Sequence, residues 1–552
     1  MKNNLYWKIG NAEMIKRKNL KNLFIKDQFH YFALMIIMAL ALWVRIHFLS
    51  APIRYDEAWT FNFYASKPLS YGLSKYLDPN NHLLNTFLIH LSCSLFGNKP
   101  WIIRLPAFIF GILLVPASYL VGRFFYNRNA ALFATGLVAS SSVLVQYSTD
   151  ARGYTMVSFG FMALLLISGH IARRIKPAPL WAAFIATSVL GFYAMPTMLY
   201  PFLLIVIWLL FTIDKKKQLT SLIVAVLLTG ALTFFLYLPV LVTSGIASLT
   251  SNDWVKALPL NRFFPAFYKN LPVVWEEWNR DTPFVLQLLF FTGFLTTVLT
   301  GRNTGNLRIR YVFTGMLGFL LLVFLQRVVP FARVWLFLLP LYFSVAAAGI
   351  AWVVSFFESR VDVRKWPFFP VLTIALTLFL CMRIYSTGSP GLSNDTVDDF
   401  VEAEPVARFL TKHIRPWDEI ISSLMPVAAP LSYYLNYYGI REPVKACWTS
   451  NSSKRCSFPA IGLRLFIVIK EGNRIKNELP QQERFDGVFN EKQNDLEDIL
   501  ARHSVSGSSF SSPRLIYENG STRVYELVRH KSNFSNGPAA NSGLFGNNFR
   551  TF

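Results

Sequence analysis

Arg54-Tyr55-Asp56-Glu57-Ala58-Trp59-Thr60 lies just past the first long apolar run, Phe29 to Leu49, where a chain leaving a membrane meets water. Two adjacent carboxylates followed by an aromatic are an odd choice for a plain membrane exit. Anionic charge packed against a bilayer is costly, and such residues mark functional sites by default. The position gives the pair its weight.

The chain around it is membrane-like. Of 552 residues, 53% are hydrophobic, 16% aromatic and only 15% charged, with a mean hydropathy of +0.37. Charge this sparse over this length excludes a soluble multidomain protein and fits a polytopic membrane protein. The net charge of +23 would suggest nucleic acid in a soluble chain. Here the basic residues fall in short loops between apolar runs, which the positive-inside rule explains without a polyanion. No nucleic-acid partner is expected.

The basic residues also fix a topology. Lys16, Arg17, Lys18, Lys21 and Lys26 precede the first run. That basic region is too long for a signal peptide and no small-residue cleavage site follows, so an uncleaved first helix is expected, its N-terminus inside. The piece from His82 to Phe96 is too short to span and is read as an amphipathic surface helix. Spans then follow from Leu105, from Asn129, toward Arg173, across Leu180 to Ile213 as two segments bent around Pro196 and Pro201, and from Leu219. Four more end at Arg302, Gln326, Arg360 and Tyr385. Every basic cluster between spans then shares one side of about eleven spans. The domains expected are a cytoplasmic N-terminus, 1–28; a multi-span membrane domain, 29–386; an extracytoplasmic α/β domain, 387–530; and a disordered tail, 531–552, rich in Asn, Ser and Gly.

Within 387–530 the pattern predicts helices at Ala403–His413, Ala429–Tyr438 and Asn494–His503. It predicts strands at Ile420–Leu424 and Leu463–Lys470, and a hairpin from Arg514 to Arg529 around Asn519-Gly520. Cys447 and Cys456 lie in a polar stretch of an oxidising compartment, so a disulfide and two free thiols both remain open.

This topology gathers Asp56, Glu57, His82, Asp150 and Arg152 on the outer side, with Arg327 and Arg333 added from charge and position. Carboxylates and arginines sharing one cavity suit a single reaction class. An acceptor hydroxyl needs a positioned base as it attacks, and a phosphate leaving group needs guanidinium partners.

Four segments carry a family resemblance: the acidic pair, Asn80-Asn81-His82-Leu83, Arg104-Leu105-Pro106, and Tyr147-Ser148-Thr149-Asp150-Ala151-Arg152-Gly153-Tyr154. The chain resembles the GT-C glycosyltransferases. More narrowly, it resembles bacterial relatives of the dolichyl-phosphate-mannose:protein mannosyltransferases and the aminoarabinose transferase of lipid A. The resemblance implies a GT-C membrane fold and a polyprenyl-phosphate-linked sugar as donor. It implies a single inverting displacement onto a glycan, lipid or protein acceptor outside the plasma (inner) membrane. Asp56 matches the catalytic aspartate, with Glu57 beside it as a second catalytic carboxylate. His82, Asp150, Arg152 and Tyr154 match substrate-binding positions, although Leu83 replaces a proline and Asp150 stands where relatives more often have Glu. A divalent cation, Mg or Mn, is left open, with Asp56, Glu57 and Asp150 as its ligands if one binds. The rival readings are a secondary transporter, which expects charged or broken segments at mid-membrane and two related halves, and a flippase-like protein, which has no need of the acidic pair.

Overall fold

The computed structural model describes residues 28–173, 177–213, 216–250, 257–301, 304–307, 309–358, 368–391, 400–422, 425–440, 444–445, 463–470, 496, 499–500 and 509–530. The expected basic N-terminus, the tail, and Cys447 with Cys456 lie outside the described residues, as does most of the expected helix Asn494–His503.

Each of the segments expected to span is helical, but the count of eleven is not reached by length and hydropathy. Seven helices are long and apolar enough to cross a membrane: Gln28–Leu49, Leu105–Phe125, Tyr154–Ala172, Lys216–Ser244, Ile309–Gln326, Ala332–Phe356 and Phe369–Thr387. Arg128–Ala139 and Ser142–Ser148 form a pair bent by 62°, which makes up to eight if counted as one span. The other expected spans are shorter apolar helices, Ala178–Ala194, Pro196–Thr212 and Phe284–Thr300. The segment expected to lie along the surface is helical at Leu83–Phe96.

The 62° bend has a chemical cause. At a helix end the last carbonyls lack partners, and Ser140-Ser141-Ser142 competes poorly as helix. Arg45, fully buried in the first helix, fills the gap. It donates to the Ala139 carbonyl at 2.8 Å and the Val138 carbonyl at 3.3 Å, and its Nε reaches Ser148 Oγ at 3.1 Å. Arg280, which pairs with Glu277 at 2.8 Å, donates to Gln146 from the other side. The short helix Ser142–Ser148 is therefore held at both flanks. It delivers Thr149 and Asp150 to the end of the bundle that carries Asp56.

Packing is tight where these helices meet. Gly111 faces Ser148 so closely that a Cβ would stand 2.1 Å from its Oγ, so only glycine lets the two backbones approach.

Beyond the last helix lies a five-stranded sheet of order β2-β1-β3-β5-β4, with β1 Glu419–Ser422, β2 Val444–Lys445, β3 Arg464–Lys470, β4 Arg514–Asn519 and β5 Thr522–Val528. β1 runs parallel to β2 and β3, while β5 is antiparallel to β3 and β4. The hairpin turns at Gly520, whose φ of 57° suits a residue without a side chain. The helix Ala403–His413 has the expected bounds, and Met425–Tyr437 begins earlier than expected. β2 has only two residues, too few to show any alternation in the sequence.

This α/β unit does not build its core alone. Tyr55, Ala58, Trp59, Phe61 and Tyr64 share one buried apolar cluster with Val406, Leu410, Leu431, Tyr433 and Phe466. The Tyr434 hydroxyl accepts the Ile53 N–H at 3.2 Å, and Asn62 Nδ2 donates to the Ala429 carbonyl at 2.9 Å. The acidic-pair segment is thus sandwiched between the helical bundle and the sheet unit.

Candidate active site

Arg54-Tyr55-Asp56-Glu57 starts a short helix, Tyr55–Thr60. Consecutive helical residues point about 100° apart, and the structure separates the two carboxylates sharply.

Glu57 turns inward. Its side chain is 0% exposed and both its oxygens are taken. Arg104 grips it at 2.7 and 2.6 Å, the Arg54 N–H donates at 2.9 Å and the Ala151 N–H at 2.8 Å. Burial pushes this carboxyl up, but the Arg104 guanidinium, helped by Arg54, outweighs it and holds Glu57 below the usual carboxylate range. Arg104 also donates to the carbonyls of Leu49, Ala51 and Pro52, the free end of the first helix. Glu57 ties three segments together and presents no oxygen to a substrate.

Asp56 turns the other way, with its side chain 16% exposed. Two guanidiniums face one of its oxygens: Arg152 Nη2 at 3.7 Å and Arg333 Nη2 at 3.9 Å. Arg152 follows the Asp150 turn, and Arg333 comes from the turn of 3-10 helix Ala332–Phe337. Arg333 also lies over the Phe331 ring, 4.5 Å from its centroid. At these distances neither pair is a tight contact ion pair.

Asp150 sits buried behind them, 3.6 Å from Arg54 Nη1. Burial, and then the charge of Glu57, raise its carboxyl to about 7, against the opposing pull of Arg54 and Arg152. His82 is buried and its Nδ1 accepts the Gly153 N–H at 2.8 Å, which leaves the proton of the neutral ring on Nε2. Burial, with the cations Arg152 and Arg333, keeps His82 well below its ordinary value. Tyr154 packs edge-on against the His82 ring and lies under Arg152.

Seven of the eight residues expected from sequence therefore meet at this end of the bundle. Arg327 does not. It is exposed at the end of the helix Ile309–Gln326, with a left-handed φ of 52°, and its carbonyl accepts from Leu258 N at 2.9 Å. It ends a helix, and among the described residues no contact places it beside Asp56.

The set does not form a cation site as it stands. Among the described residues no three metal-capable groups cluster. Glu57 has no oxygen to offer, and arginines stand beside Asp56 and Asp150.

Sequence reasoning did not single out Asp78, Thr60 or Arg54. Asp78 is the clearest loss. It precedes Pro79 by one residue and lies two residues from the Asn80-Asn81-His82 segment that drew attention.

A fold of this kind, with seven long apolar helices among the described residues, is that of a membrane protein with several passes. Residues 81–242, less than half of the chain, match the family described as dolichyl-phosphate-mannose-protein mannosyltransferase. In three dimensions the chain is similar to ArnT from Cupriavidus metallidurans in the apo state, with a TM-score of 0.59 at 13% identity, covering 89% of this chain and 97% of that one. It is also similar to the same protein bound to undecaprenyl phosphate, with a TM-score of 0.55 at 12% identity over the same shares. Identities this low speak for the fold. Comparison with curated protein sequences gives no match.

Proposed function

We propose that the protein is a membrane glycosyltransferase that moves a sugar from a polyprenyl-phosphate donor to an acceptor hydroxyl by one inverting displacement. The observation that carries this reading is Asp56, a partly exposed carboxylate with the two guanidiniums of Arg152 and Arg333 within 4 Å. The similar ArnT structure holding undecaprenyl phosphate supports the donor class.

In this reading Asp56 takes the proton of the acceptor hydroxyl as its oxygen attacks the anomeric carbon. The bond from that carbon to the phosphate oxygen breaks, and polyprenyl phosphate leaves with the electron pair. Arg152 and Arg333 bind the phosphate and stabilise the charge growing on it. Glu57 acts as a positioning residue rather than a second base, because its four contacts fix the helix that aims Asp56. His82, neutral, has an Nε2–H to donate to a sugar or phosphate oxygen. Asp150 and Arg54 form the buried floor, and Tyr154 backs His82 and Arg152. The active end and the sheet unit are extracytoplasmic in this reading, at the plasma membrane. Arg123, Arg128, Arg173 and Lys216, at the loops of the opposite helix ends, supply the cytoplasmic positive charge.

The transporter reading would draw on the one broken helix pair among the described residues. Its break is closed by Arg45 against backbone carbonyls, which leaves those carbonyls engaged rather than open to a solute.

The test is transfer by the purified protein in proteoliposomes, supplied with polyprenyl-phosphate sugars and a crude envelope extract as acceptor. Release of free polyprenyl phosphate that depends on donor and acceptor supports the reading. Solute uptake without any such release would replace it with the transporter.

A further inference from the structure

Arg152 is one of two guanidiniums that stand beside Asp56, and Asn80 is the residue that holds it most closely. Arg152 Nη1 donates to both the backbone carbonyl of Asn80, at 3.0 Å, and the Asn80 side-chain oxygen. It also reaches Thr60 Oγ1 at 3.3 Å. The same Asn80 donates its side-chain Nδ2–H to the Asp56 carbonyl at 3.2 Å. Asn80 thus touches both partners of the Asp56–Arg152 pair.

Asn80 lies in a loop, where backbone conformation is cheap to change, so something must fix it. Asp78 Oδ1 accepts the Asn80 N–H at 2.9 Å, an Asx turn. Its other oxygen, Oδ2, accepts the Trp59 indole N–H at 2.8 Å, one helical turn beyond Tyr55 on the helix that bears Asp56. The carboxylate of Asp78 therefore bridges the helix and the loop. The loop is pinned at its start as well, where Tyr76 N donates to Ser244 Oγ at 3.0 Å.

We infer that Asp78 is a positioning residue of the transfer reaction: it seats Asn80, and through Asn80 it holds the Arg152 guanidinium beside Asp56. Removing a carboxylate from water is expensive, and burial raises Asp78 to about 6. A carboxyl that needed only to pack would be better replaced by an apolar group. What the ionised form supplies is two acceptors at once, one for each segment, which an amide cannot match without turning a donor toward an N–H. The inference rests on the transferase reading for its catalytic consequence, but the geometry it asserts is independent of it.

Two measurements keep these apart. In detergent-solubilised full-length protein, arginines are modified with phenylglyoxal and mapped by peptide mass spectrometry. Asp78→Asn should raise Arg152 labelling several-fold while Arg104, locked on Glu57, stays protected. In proteoliposomes the same variant should lower kcat roughly tenfold to a hundredfold, the range expected when a group is misplaced by about an ångström, with the donor KM changed far less. Asp78→Asn and Asn80→Ala combined should be no worse than the poorer single variant, because they break one chain of contacts.

Arg152 labelling that stays at the wild-type level with Arg104 protected would overturn the inference, as would multiplicative losses in the double variant. If Arg104 labels too, the chain has loosened, and Asp78→Ser takes over: it keeps one acceptor for Asn80 and must give Arg152 labelling between wild type and full exposure, or the inference fails. A wild-type protein that transfers no sugar would sink the transferase reading while the labelling result still decides the role of Asp78.

Discussion

Arg104 holds both oxygens of Glu57, at 2.7 and 2.6 Å, with neither side chain exposed to solvent. The residue next to the proposed base is thereby committed to the fold. Breaking such a buried pair leaves an uncompensated charge, at a cost of about 3–5 kcal/mol.

Glu57→Gln should therefore lose stability on that scale, read as a large drop in the thermal transition of the solubilised protein. Asp56→Asn, at a position that makes no close ion pair and is partly exposed, should stay close to wild type. Equal melting behaviour of the two variants would contradict the division of labour between the carboxylates.

Asp150 gives a signed pH effect. Burial raises its carboxyl to about 7, well above the roughly 3.9 of an unfolded aspartate. Between these values the native state holds the extra proton, so stability is highest on the acid side and falls as pH rises through 7. Asp150→Asn should flatten stability between about pH 5 and 7, measured by denaturant midpoints across that range. An unchanged slope in the variant would show that another group titrates there.

The two arginines chosen from sequence should behave differently. Arg333→Ala removes a guanidinium 3.9 Å from Asp56 and should weaken polyprenyl-phosphate binding by about tenfold or more, the scale of a charge-assisted contact. Arg327→Ala should leave that affinity alone. Arg327→Gly should stabilise the chain by about 1 kcal/mol, because the left-handed φ of 52° suits glycine at a helix end. Binding measured with polyprenyl phosphate in nanodiscs separates these outcomes; equal losses from both alanine variants would contradict the placement.

The orientation is open to a simple check. A single cysteine at Lys67, exposed at the Asp56 end, should react with an impermeant maleimide in intact cells. One at Lys216, exposed at the start of the helix Lys216–Ser244, should not. Labelling of Lys216→Cys as fast as Lys67→Cys would put the active end on the wrong side.

Much of this architecture was legible in the chain because membranes write simple rules. Apolar runs and basic loops set the helices, and the carboxylates beyond the first helix drew attention to the cluster that is the candidate site. The hairpin at Asn519-Gly520 and the helix Ala403–His413 carry strong local signals and appear where expected. What was hidden is what depends on distant partners. Adjacent Asp56 and Glu57 look equivalent in sequence, and only Arg104 and the Ala151 N–H tell them apart. The bend at Ser140-Ser141 depends on Arg45 from another helix. Arg327 and Arg333 share a loop and a charge, yet one closes a helix while the other faces Asp56. Asp78 gave no signal because its meaning comes from Trp59 and Asn80 being brought together.

The central claim is that Asp56 takes the acceptor's proton. Asp56→Asn keeps the side chain's size and removes the base. The decisive measurement is the transfer rate and polyprenyl-phosphate affinity of this variant, in protein shown to be folded and inserted. The rate should fall by roughly two to four orders of magnitude, about 3–5 kcal/mol of barrier, while polyprenyl phosphate still binds through Arg152 and Arg333. An Asp56→Asn protein that transfers sugar at a near-normal rate would contradict the account.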